Sequence, residues 1–94
     1  GEEGYSYPCT LDFTDTLGRP PQLVLVRTNI DPDRTKSLTL IQGAAVANCY
    51  NSSELISNAD NTLLWNGNAV SWYGHSASAQ MNEEGVLYRY FAIG

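Results

Sequence analysis

The residue types able to do chemistry gather in a few short stretches. His75 is followed by Ser76 and Ser78, and with a distant Asp they form the one set that could carry nucleophilic catalysis. Neither a Gly-x-Ser-x-Gly elbow nor a paired Cys and His accompanies them, so the segment reads as loop. Glu54, Asp60, Glu83 and Glu84 supply carboxylates of the type glycoside hydrolysis needs, but each lies in a polar stretch where acids are ordinarily solvated. Asp31 and Asp33 are spaced as two oxygen ligands for Ca²⁺, yet the acidic and Gly positions of an EF-hand loop are missing. One His and no Cys-x-x-Cys spacing argue against zinc. The chain is read as non-enzymatic, with no cofactor and no metal.

Binding chemistry is better represented. Trp65, Asn66, Asn68, Trp72, Tyr73 and His75 bring aromatic rings and planar amides around one hairpin. Rings stack on the apolar faces of sugars, and amides pair with hydroxyls. Trp65 and Trp72 are expected in the core, because large aromatic residues are mostly buried. Asn66, Asn68, Tyr73, His75 and Ser76 are then the candidate ligand-binding residues.

Strands must position these groups. Cys9-Thr10-Leu11-Asp12-Phe13-Thr14 alternates, placing Cys9, Leu11 and Phe13 inward. Gln22 to Thr28 holds an unbroken apolar run and predicts a strand buried on both faces. Asn29 to Lys36 reads as a charged loop. Ser37 to Gln42 and Gly43 to Tyr50 read as two strands hinged at Gly43, the alanines of the second leaving a short helix open. Asn51 to Asn61 reads as a polar bridge. Thr62 to Trp65 and Ala69 to Tyr73 flank Asn66-Gly67-Asn68, a strong hairpin signal. Gly74 to Met81 reads as a small-residue loop. Asn82 to Gly85 is a turn into Val86–Ile93, apolar or aromatic on both faces and therefore expected to be a central strand. The fold expected is all-β: a small antiparallel sandwich or jelly-roll-like barrel of about seven strands, with residues 1–7 a leader or linker and 8–94 one domain.

Length and charge narrow the function. The 94 residues suffice for one core and no separate catalytic lobe. Ten acidic residues against five basic give a net charge of −5, and no Lys or Arg occurs from Ser37 to Tyr88, which argues against nucleic-acid binding. No apolar run is long enough to insert in a membrane as a helix. Cys9 and Cys49 permit one disulfide, but a lone pair forty residues apart favours free thiols.

The two ends of the chain carry a resemblance. Leu17-Gly18-Arg19-Pro20-Pro21-Gln22-Leu23-Val24-Leu25-Val26-Arg27, paired with Met81-Asn82-Glu83-Glu84-Gly85-Val86-Leu87-Tyr88-Arg89-Tyr90-Phe91-Ala92, resembles small β-domains of tailed-bacteriophage virion proteins. Many members lie at the C-terminal end of a tail fibre or related appendage. The resemblance spans roughly residues 13–27 and 65–94, and departs from the common pattern at Gln22 and in the short, neutral connection between Trp72 and Asn82. It implies a virion protein assembled in the host cytoplasm, with no catalytic residues. It implies either a receptor-binding tip that contacts a cell-surface glycan or protein, or a purely structural trimerisation or decoration module. Such fibre proteins are commonly trimers, so a homotrimer is expected, with either the Tyr88 and Tyr90 side or the Leu87 and Phe91 side of the last strand at its interface.

Overall fold

A computed structural model describes residues 8–31, 34–81 and 86–94. Its strands are β1 (Cys9–Asp12), β2 (Leu23–Asp31), β3 (Arg34–Ile41), β4 (Val46–Asn51), β5 (Glu54–Asn66), β6 (Ala69–Tyr73) and β7 (Arg89–Ile93), with one helical turn, α1 (Ala77–Gln80). The all-β, antiparallel architecture is that expected from sequence. All seven strands join one sheet in the order β1-β6-β5-β4-β3-β2-β7, curled into a half-barrel. Strands β2 to β6 form a meander, β1 is added beside β6, and β7 is added beside β2.

Period-2 alternation decides which side chains enter the concave side. Val24 and Val26 of β2, Leu38 and Leu40 of β3, Cys49 of β4, and Val70 and Trp72 of β6 are fully buried there. Leu63 and Ala59 of β5 complete the layer, and Cys9, Leu11 and Phe13 pack against it as their alternation predicts. Trp72 is a core residue and Trp65 is half-buried, its indole N–H donating to the Ala44 carbonyl at 2.8 Å. Cys9 and Cys49 are both thiols, with no disulfide between them. The β5–β6 hairpin turns on Gly67 and Asn68, and Gly67, at φ 60°, supplies the left-handed residue such a turn requires.

Four expectations are corrected. The run in β2 is not buried on both faces: Leu23 and Leu25 are half-buried and Arg27 is exposed, because the convex side of a one-layer sheet has no second layer. Asn29 to Lys36 is not a charged loop, since β2 runs to Asp31 and β3 starts at Arg34. Lys36 is 5% exposed, its stem lying along the interior and its Nζ donating to Ser78 Oγ at 2.8 Å. The segment Asn51 to Asn61 is not a bridge but largely the first half of the 13-residue β5. Its inward Asn61 is fully buried, and its amide N–H₂ donates to the carbonyls of Ala59 (3.2 Å) and Ala79 (2.9 Å). The amide N–H₂ is satisfied by backbone inside the fold, whereas Asn61 Oδ1 is buried with no hydrogen-bond partner among the described residues. Val86–Ile93, expected to be central, supplies an edge strand, β7, that among the described residues pairs only with β2. The alanine-containing stretch forms β4 and not a helix. The leader at residues 1–7, Asp33 and the turn at residues 82–85 lie outside the described residues.

The segment Gly74 to Met81 also departs from a plain loop. It folds into the concave side, where Ala79, Gln80 and Met81 are buried. The Gln80 carbonyl accepts from Trp72 Nε1 at 2.8 Å, and Gln80 Oε1 accepts from the Gly74 N–H at 3.1 Å. Gly74 packs closely here: a Cβ on it would sit 2.6 Å from Asn61 Oδ1. Gly74→Ala should therefore push Asn61 out of place and cost about 1–3 kcal/mol, lowering the thermal midpoint by at least about 4 °C in a domain of this size. An unchanged midpoint in calorimetry would show that the segment is not packed as described.

Candidate functional site

The five ligand candidates occupy two ends of one strand. Asn66 and Asn68 lie at the β5–β6 turn, Asn66 exposed and Asn68 half-buried, with the Asn68 carbonyl accepting from the Phe13 N–H at 2.9 Å. Tyr73, His75 and Ser76 lie at the far end of β6, about 17 Å along the strand from Asn68 at the usual rise per residue. The fold brings Tyr73 and His75 together and leaves the asparagines apart from them.

At the Tyr73 end the ring is outward and 38% exposed, opposite Thr62 of β5. His75 Nε2 is 3.3 Å from Asp60 Oδ2, with both side chains exposed. Ser76 is committed to structure: its Oγ accepts from the Ala79 N–H at 3.1 Å, and its carbonyl accepts from the Gln80 N–H at 2.9 Å, which caps α1. Ser78 Oγ is taken by Lys36. His75 thus points to Asp60 while both serines serve other groups, an arrangement unlike a nucleophile and its base. Of the four carboxylates singled out in the sequence, Glu54 and Asp60 are exposed on β5, and Glu83 and Glu84 lie outside the described residues.

A second surface is larger. Outward residues of β7, β2 and β3 form cross-strand rows, Ile93–Leu23–Ile41 and Phe91–Leu25–Thr39, with Arg89 opposite Arg27 in the next row. Ile41, Phe91 and Ile93 are each more than half exposed and Leu87 is 79% exposed. The segment before β7 is tied down by Thr28 Oγ1, which donates to the Leu87 carbonyl at 2.7 Å. Beside it runs an open groove of about 860 Å³, lined by Leu25, Arg27, Leu87, Arg89, Tyr90 and Phe91 among others. Of the four expected interface residues, Leu87 and Phe91 are exposed here, Tyr90, opposite the buried Val26, is half exposed on the other face of the strand, and Tyr88 packs against the core. Sequence reading missed Arg27, Arg89, Ile41 and Ile93 as parts of this surface. Only the register of β7 on β2 places them side by side.

Partial burial raises the Tyr90 phenol above its ordinary value near 10, and the Cys9 thiol, when ionised, adds to that shift. At the other edge, exposed Asp12 is held below its usual value because Thr14 donates to its carboxylate from both Oγ1 and the backbone N–H.

No family model, curated protein or solved structure matches the chain. The surfaces themselves therefore carry the functional argument.

Tyr90 gives a pH signature. Its folded pKa is raised, so its contribution to stability is complete below the unfolded value near 10 and is lost as pH rises through the folded value. In an absorbance titration of phenolate, Tyr90→Phe should remove a component that ionises later than free tyrosine. Loss of a component at the ordinary value instead would refute the partial burial of this ring.

Proposed function

We propose that this chain is a non-enzymatic module of a tailed-phage appendage, and that its main work is assembly through the surface around β7. The virion assignment rests on the resemblance of residues 13–27 and 65–94. The assembly role is carried by one observation: the exposed apolar rows of β7, β2 and β3, continuous with Leu87. Contiguous apolar surface on a small domain is a contact surface for other protein, since water is a poor neighbour for it. Copies of the chain meet there as a homotrimer, with Leu87, Tyr88, Tyr90 and Phe91 at or beside the contact.

A second reading, a tip that binds a host-surface glycan or protein receptor, is favoured by Tyr73. Its exposed ring offers a stacking face, and the neighbouring Asp60–His75 pair offers a hydrogen-bond acceptor and a donor to hydroxyls. Asn66 and Asn68, at the opposite end of β6, would belong to a separate contact.

Light scattering tests the first reading. The chain should have three times its own mass in solution, and Phe91→Asp, at an outward position, should reduce it to one while the far-UV spectrum stays β-rich. A wild-type monomer would remove the trimer. The second reading is tested on glycan arrays and host-type cells: Tyr73→Ala and His75→Ala should abolish binding without changing mass, and binding that survives both would count against it.

A further inference from the structure

The edge of β7 differs from a protected sheet edge. Natural edges are blunted by proline, bulges, inward charges or shortness. Arg89–Ile93 contains no proline, pairs with β2 in an unbroken register, and places its one charge outward. The opposite edge, β1, has only four residues and ends at Asp12, whose carboxylate is engaged by Thr14. Among the described residues, the outer side of β7 has no strand beside it.

Charge says what fits there. Arg89 and Arg27 are directly opposite each other on the outward face. Like charges so paired repel. Neither guanidinium makes an ion pair or hydrogen bond within the described residues. Two cations of a chain that has only five, side by side and bordered by exposed Phe91 and Leu87, match a carboxylate presented between apolar groups.

We propose that the free edge of β7 binds an extended acidic segment of another polypeptide by strand addition. Running antiparallel, the guest places a Glu or Asp opposite Arg89, within reach of Arg27, and apolar side chains opposite Phe91 and Ile93. Its recognition pattern is therefore apolar-x-apolar-x-acidic, read in the guest's own direction. Backbone hydrogen bonds to the open side of β7 supply affinity, and the arginine pair with the alternate apolar contacts supplies register. The inference rests on the reading of β7 as a protein-contact surface and names the chemistry of what covers its edge.

The probe is a fluorescent peptide, acetyl-Ser-Val-Thr-Val-Thr-Glu-Ser-amide, compared by anisotropy with its Glu-to-Lys analogue and with polyphosphate, while light scattering reports the mass of the same samples. The Glu peptide should bind one per chain, and the Lys analogue at least about tenfold more weakly. Arg89→Gln and Arg27→Gln should each weaken the Glu peptide about tenfold. Equal binding of the two peptides, or no binding of either, overturns the proposal. Full displacement of the peptide by polyphosphate overturns it in favour of a simple anion site. A wild-type oligomer that takes up no peptide and falls to monomers in Arg89→Gln overturns it in favour of a second copy on that edge. Peptide uptake by a monomeric protein supports the proposal and removes only the trimer, whereas a trimer that takes up no peptide removes only the proposal.

Discussion

A one-layer antiparallel sheet can bury one face without a second sheet only if it curls and something fills the hollow. Here the filler is the short segment Gly74 to Met81, and its hold on the sheet runs through Gln80. The Gln80 carbonyl accepts from the Trp72 indole, and its side-chain oxygen accepts from the Gly74 N–H. Its amide nitrogen reaches Cys9 Sγ at 3.6 Å, which links β1 to the same hub. From β5, the Asn61 amide donates to the Ala79 carbonyl of the same segment. A buried polar group left unmatched costs about 1–3 kcal/mol, so these backbone partners help Gln80 and the Asn61 N–H₂ occupy the core, while Asn61 Oδ1 is buried without a partner among the described residues.

The same economy leaves surfaces uncovered. One layer means that the convex side faces water along its whole width, and most outward residues there are Thr, Ser, Asn or charged. Along β7, β2 and β3 they are instead Phe91, Ile93, Leu23, Leu25 and Ile41. An open sheet also keeps two edges, and the pair Arg27 and Arg89 lies near the one with no blunting device. Among the described residues, apolar rows, unpaired backbone and unpartnered cations thus converge on β7. Another outward feature is Tyr73, 38% exposed, near the His75–Asp60 pair.

Much of this was legible in the sequence where local pattern and local geometry coincide. The alternation of Cys9, Leu11 and Phe13, the run in β2, the hinge at Gly43 and the turn at Gly67 each declare themselves within a few residues. What was not legible depends on distant partners. Asn51 to Asn61 reads as a bridge because an Asn gains a reason to be inside only when Ala79 lies across the barrel. Gly74 to Met81 has no periodicity to show, since one helical turn buries three consecutive residues against different strands. Val86–Ile93 was misplaced for an instructive reason. An apolar pattern on both faces signals coverage on both faces, but the sequence does not say whether the cover comes from the same chain. The arginine pair is hidden in the same way, as sixty-two positions separate Arg27 from Arg89 and only strand pairing joins them.

The measurement that most directly tests the account is residue-resolved amide exchange along Arg89 to Ile93. In an antiparallel edge strand alternate amides point to the neighbour and to the open side. The account predicts alternation in the unliganded protein, with the amides bonded to β2 protected and those between them exchanging at nearly free rates. Uniform protection along β7 would contradict it, because it would mean that the edge is already paired and no open strand awaits a partner.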